Sequence, residues 1–181
     1  MSNVVVLLAE GFEELEALAP VDLRRRAGDR VQTLSITDHK TVTGARGIPV
    51  VADGTLSDLD FDQMDLLVLP GGYPGYVNLG NSQPVCQLLQ QANDAGKTIA
   101  AICGAPSVLG KLGLLTHKKA TCYPGMEQEL NCKEFSLEPV VQDGQIITSR
   151  GAGTALDFAL ALIAHTQSPQ KAQEIKESIV Y

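Results

Sequence analysis

Cys103 lies directly after the apolar run Thr98–Ile102 and is followed by Gly104, Ala105 and Pro106. A strand that turns sharply into a helix displays the side chain at the tip of the turn, which is how many hydrolases present a nucleophile. Small neighbours leave room for the strained backbone of such an elbow. A helix N-terminus beyond the turn supplies free N–H groups and partial positive charge, so the thiol is expected to have a lowered pKa. The plainer reading, a cysteine packed as a small hydrophobe, explains the position equally well.

Two other segments carry groups that suit a thiol nucleophile. Pro70-Gly71-Gly72 ends the apolar run Leu66–Leu69, and backbone N–H groups of Gly71, Gly72 and Gly104 can together form an oxyanion hole. Glu13, Glu14 and Glu16 follow the first apolar run, Val4–Leu8. The helix macrodipole accounts for Glu13 and Glu14. Glu16 flanks the transition to the packed face, where burial and a nearby thiolate push a carboxyl towards its protonated form. Such a group can hydrogen-bond the thiolate and move protons during addition to a carbonyl.

The elements around these loops alternate in type. Val4–Leu8, Val31–Ile36, Leu66–Leu69 and Thr98–Ile102 read as buried strands, with further short strands near 120–122, 139–142 and 146–149. Helices are expected over 13–27, 84–95, from Cys103 to about Lys111, over 154–165 and from Pro169. In the first, Leu15, Leu18, Ala19 and Leu23 mark the packed stripe, and Pro20 is expected to kink the helix or divide it. Lys40–Thr43 and Ile48–Ala52 read as a hairpin-like excursion. The alternation predicts one domain over residues 1–181, a three-layer αβα sandwich with a mostly parallel, flavodoxin-like sheet. Ligands of such sheets collect at the carboxyl ends of the strands, where the three loops converge if their strands are neighbours.

The composition narrows the partners. A chain of 181 residues, 44% apolar, can bury a full core without disulfides. Its net charge of −7 disfavours nucleic-acid binding by general electrostatics. The run Arg24-Arg25-Arg26 reads as a solvated or interface feature. Cys86, Cys103, Cys122 and Cys132 form no CxxC pair, so no metal site is expected, and Cys132 is the packing cysteine expected to be most exposed. With no signal-peptide pattern and no membrane-length apolar stretch, a cytoplasmic protein with free thiols is expected. The histidines, His39, His117 and His165, sit in contexts suited to solvent or a helix end.

Five segments in order resemble the ThiJ/PfpI superfamily, in particular the branch holding the Parkinson-associated protein deglycase and bacterial ThiJ-like proteins. They are Ala9–Glu16, Pro20–Asp22 with Arg25–Gly28, Leu69–Gly72, Ala100–Cys103 and Thr148–Thr154. The resemblance implies that Cys103 is an oxidation-sensitive nucleophile, Glu16 its protonated partner, and Gly71, Gly72 and Gly104 the surround of the thiolate or a carbonyl oxygen. It implies a homodimer, with Arg26 and Arg46 towards the interface and Arg150 near the site. It further implies glyoxalase or deglycase action on a small aldehyde substrate or a glycated protein, with oxidative-stress protection, chaperone behaviour and no cofactor. Gly104 stands where peptidase-type members carry His, which removes a Cys-His dyad of that kind and puts an intracellular cysteine peptidase last. Tyr123 stands where deglycase-type members often carry His, so general-base help is left to Glu16, water or another group, and a redox sensor built on a Cys103 sulfinate is the alternative to the enzyme.

Overall fold

Val4–Leu8 and Leu66–Leu69 are apolar at every position because both faces of their sheet are covered. The structure, a computed structural model, describes residues 1–181. The first half contains β1 (Asn3–Leu8), α1 (Glu14–Arg26), β2 (Arg30–Ser35), β3 (Thr41–Thr43), β4 (Pro49–Val51), β5 (Gly54–Thr55), β6 (Leu66–Leu69), α2 (Gly75–Asn81) and α3 (Gln83–Asp94). The second contains β7 (Thr98–Ile102), α4 (Pro106–Lys111), β8 (Lys119–Ala120), β9 (Glu134–Phe135), β10 (Val140–Asp143), β11 (Ile146–Ser149), α5 (Ala155–Thr166) and α6 (Pro169–Ser178).

Seven strands form one sheet in the order β10-β11-β7-β6-β1-β2-β5. Every pairing is parallel except that of β10 with β11. Val4, Val6 and Leu8 point to one face, where Phe12, Ala17 and Val21 of the α1 region and Phe158 and Leu162 of α5 cover them. Val5 and Leu7 point to the other, under Leu79 of α2, Leu88 and Leu89 of α3, and Leu109 of α4. Helices on both faces of a parallel sheet make a flavodoxin-type αβα sandwich. The β3–β4 hairpin and the β8–β9 pair stand outside the main sheet. No helix is long and apolar enough to cross a membrane.

Helix α1 departs from expectation in three ways. It runs unbroken through Pro20, which lacks the N–H that would otherwise reach the Glu16 carbonyl. Its expected stripe is packed only in part: Leu23 is buried, but Leu15 and Leu18 are 60% and 37% exposed, whereas Glu14 and Glu16 are buried. Arg24 is not a solvated residue but is fully buried. It pairs with Asp29 at 2.8 Å and donates to the Leu162 carbonyl at 2.7 Å and to Thr166 at 2.6 Å. Asp29 also accepts from the Ser2 N–H at 2.7 Å and from Gln167 at 2.9 Å, so one ion pair ties α1, α5 and the start of β1 together.

The short helix α2 was not expected between Gly72 and Pro84, because its sequence Gly75–Asn81 holds two glycines and two asparagines, all weak helix formers. It forms because Leu79 is buried in the core beneath it. The strand expected near 120–122 is shorter and shifted, ending at Ala120, and it pairs with the unforeseen β9.

Candidate functional site

Strands β1, β6 and β7 are adjacent, so the loops at their carboxyl ends meet. Cys103 caps β7 in the left-handed region, with φ of +66°. That conformation is unfavourable for a residue with a side chain and persists only when the surroundings impose it. Here two hydrogen bonds do so: the Cys103 N–H donates to the Ser149 carbonyl at 3.0 Å, and the Tyr123 N–H donates to the Cys103 carbonyl at 2.9 Å. The side chain is half-buried.

Glu16 arrives from the first turn of α1, whose N-cap is Glu13, its carboxylate accepting from the Glu16 N–H at 2.9 Å. Only 1% of Glu16 is exposed. Its Oε2 accepts from the Gly71 N–H at 2.8 Å, and its carboxyl is hydrogen-bonded to Cys103. Gly71 is required by this approach: a Cβ there would lie 2.6 Å from both the Cys103 Cβ and Glu16 Oε2. Gly72 has φ of +88°, which turns its N–H towards the Cys103 sulfur, and the Gly104 N–H points there as well. The three glycines therefore divide: Gly71 holds Glu16, while Gly72 and Gly104 hold the sulfur.

Burial is the main reason that the Glu16 carboxyl is pushed up to about 7, with the charge of Glu13 adding to it against hydrogen bonds from Cys103 and Gly71. Burial likewise pushes the Cys103 thiol up to about 12, helped by the Glu16 charge and hydrogen bond and opposed by the Gly72 and Gly104 N–H groups. The lowered thiol pKa expected from a helix N-terminus is thus reversed. Helix α4 has only six residues, and its dipole does not offset burial beside a carboxylate. The two groups titrate as a pair. Between about pH 7 and about 12 the pair holds one proton, on the Cys103 sulfur in its hydrogen bond to the Glu16 carboxylate.

A cavity of about 580 Å³ opens over the pair, lined by Glu13, Arg46, Tyr73, Tyr76, Tyr123 and Met126 among others. Arg46 and Tyr123 are therefore brought to the site. Arg150 lies beside it, in a separate shallow cavity shared with Tyr123 and Thr154. Arg26 does not reach it: exposed at the far end of α1, it pairs with Asp22 at 2.9 Å. Tyr73, Tyr76 and Met126 were missed. Tyr73 follows Gly72 directly and Tyr76 stands in the first turn of α2, close after the glycines in the sequence. A second cavity, of about 480 Å³, lies at the opposite end of the sheet around Asn3 and Arg30 and holds no nucleophile.

No histidine approaches Cys103. His165 is held between Thr98 Oγ1 at 3.2 Å and Gln142 Nε2 at 2.8 Å, and His39 and His117 are exposed. Cys122 is buried, and Cys132, expected to be exposed, is half-buried against the core. No three His, Cys, Asp or Glu side chains converge in a way that could hold a metal ion.

Comparison with known proteins agrees with this geometry. The sequence profile of the DJ-1/PfpI family matches residues 2–165. The protein dj-1beta of Drosophila melanogaster is 37% identical over 180 residues, covering 98% of this chain and 96% of the fly protein. The glutathione-independent glyoxalase DJR-1.2 of Caenorhabditis elegans is 29% identical over 176 residues, covering 96% of this chain and 93% of the worm protein. The structure of oxidized Toxoplasma gondii DJ-1 superimposes with a TM-score of 0.96 at 34% identity, covering 100% of this chain and 99% of that one. The chain belongs to the DJ-1/PfpI family.

Proposed function

We propose that the protein converts reactive α-oxoaldehydes, free or as early adducts on proteins, into 2-hydroxy acids through Cys103 and Glu16. The observation that carries this reading is a contact: a buried carboxyl is hydrogen-bonded to a thiol whose sulfur also faces the Gly72 and Gly104 N–H groups. In the reactive arrangement the proton sits on Glu16 and the charge on sulfur. The thiolate adds to the aldehyde carbon, and Glu16 gives its proton to the new oxyanion, forming a hemithioacetal. The Gly72 and Gly104 N–H groups stabilise the charge as it moves from sulfur to oxygen.

Glu16, now a carboxylate, takes the hydrogen of the former aldehyde carbon as a proton and returns it to the adjacent carbonyl carbon. The hemithioacetal hydroxyl proton meanwhile passes to the neighbouring oxygen through the enediol. The first carbon is oxidised and the second reduced, so no external redox partner is needed and the product is a thioester. Water cleaves the carbon–sulfur bond, releasing the 2-hydroxy acid and restoring the pair's proton. The worm relative described as a glutathione-independent glyoxalase supports a route of this kind without a thiol cofactor. Purified protein given methylglyoxal should produce lactate, and Cys103→Ala should not. Equal lactate from both proteins would refute the reading.

The oxidized Toxoplasma relative supports a second reading, a redox sensor or stress chaperone in which Cys103 becomes a sulfinate. Glu16 in its protonated form and the two N–H groups would hold the sulfinate oxygens. After mild peroxide, mass spectrometry should then find two added oxygens on Cys103 ahead of Cys86, Cys122 and Cys132. A cytoplasmic homodimer completes the proposal. The exposed Leu15, Leu18, Ile48 and Val51 support the dimer, being apolar surface on α1 and the β3–β4 hairpin, which Glu14 joins by accepting from the Arg46 N–H at 2.8 Å.

A further inference from the structure

The cavity over Cys103 is far larger than methylglyoxal, and three tyrosines, Tyr73, Tyr76 and Tyr123, line it. Tyr76 is half-buried and its ring lies flush against Gly104, where an added Cβ would come within 2.6 Å of the ring. Its N–H donates to the Gly72 carbonyl at 2.9 Å, so the first turn of α2 is tied to the loop that holds the sulfur. Tyr73 extends this wall outward, its ring centre 6.4 Å from that of Tyr76 and tilted by 57°. Tyr123, whose N–H donates to the Cys103 carbonyl at 2.9 Å, lines the same cavity, as does Met126. Tyr73 and Tyr123 are 74% and 52% exposed, so two large rings remain uncovered at the mouth of the site.

Uncovered rings at a nucleophile suit a flat apolar group, because aromatic pairs gain from offset or tilted contact at centre separations of roughly 4.5–7 Å. A cavity of about 580 Å³ accommodates a ring together with the reacting dicarbonyl. We infer that the preferred substrates are aryl-substituted α-oxoaldehydes, with the aldehyde carbon at Cys103 and the aryl ring between Tyr76 and Tyr123. The inference rests on the aldehyde-isomerising reading and names its substrate class. The balance is unchanged: an arylglyoxal and water give the aryl 2-hydroxy acid, with Cys103 and Glu16 restored.

The test compares phenylglyoxal with methylglyoxal, following mandelate and lactate rather than aldehyde loss, since phenylglyoxal also reacts with arginines such as Arg46. The wild-type protein should show a kcat/KM at least about tenfold higher for phenylglyoxal. Replacing Tyr123 or Tyr76 by Ala should remove most of that ratio, whatever the change in absolute rate. Equal kcat/KM for the two aldehydes would overturn the inference while leaving the isomerase reading intact. Where Cys103→Ala matches wild type with both aldehydes, the isomerase reading fails instead. Acetophenone then decides the aryl site alone, by titration against Cys103→Ser followed by NMR. Saturable binding that Tyr123→Ala weakens about tenfold supports the site, and absence of binding overturns it.

Discussion

Glu16 has an ordinary carboxyl value of 4.5 in the unfolded chain and about 7 in the fold. A group whose folded value is raised contributes stability that is complete below the unfolded value and is lost as pH rises through the folded one. For Glu16 the window runs from pH 4.5 to about 7, and the difference corresponds to up to about 3 kcal/mol. Glu16→Gln keeps an acceptor for the Gly71 N–H but cannot ionise. We therefore expect the variant to match wild type in urea at pH 4 and to exceed it by about 1–3 kcal/mol at pH 8. A constant difference at both pH values would mean that Glu16 ionises outside this window. Ionised Glu16 thus destabilises the fold at neutral pH.

At the scale of elements, the site depends on two strand ends approaching closely enough to exclude a methyl group. Gly71→Ala would force Cys103 and Glu16 apart. It should lower stability by about 1–3 kcal/mol and remove hydroxy-acid formation while far-ultraviolet circular dichroism stays native. Arg24 acts at the other end of α1, and Arg24→Ala leaves Asp29 buried without its cation. That change should lower stability by about 3–5 kcal/mol in urea denaturation, and a change within 0.5 kcal/mol would contradict the burial described. The two positions differ in legibility. Gly71 and Gly72 could be placed beside Cys103 because apolar strands punctuated by glycine have few arrangements in a parallel sheet. Arg24 could not be placed, because an arginine run looks the same whether its members face water or a buried aspartate. Leu15 and Leu18 misled for a related reason: periodicity finds an apolar stripe on α1 but does not say whether the fold covers it.

At the scale of the molecule, those leucines bear on assembly. If a second copy covers α1 and the β3–β4 hairpin, the wild-type protein should sediment at twice the chain mass, and Leu15→Glu with Leu18→Glu should sediment as a monomer. A wild-type monomer at tens of micromolar would refute the dimer. The alternation of strands and helices was enough to predict the sandwich, since sheet and helices must cover one another. The aromatic cavity was not predictable in the same way. Tyr73, Tyr76 and Tyr123 come from the start of α2 and two loops, whose meeting depends on hydrogen bonds to Gly72 and Cys103 rather than on any pattern of spacing.

The claim on which both functional readings depend is that Cys103 and Glu16 share one proton. The pH dependence of Cys103 alkylation by iodoacetamide, in wild type and in Glu16→Gln, tests it most directly. Wild type should show an inflection near pH 7 as the pair loses its first proton, and Glu16→Gln should lack it. One inflection at the ordinary thiol value of 9.0 in both proteins would contradict the shared proton.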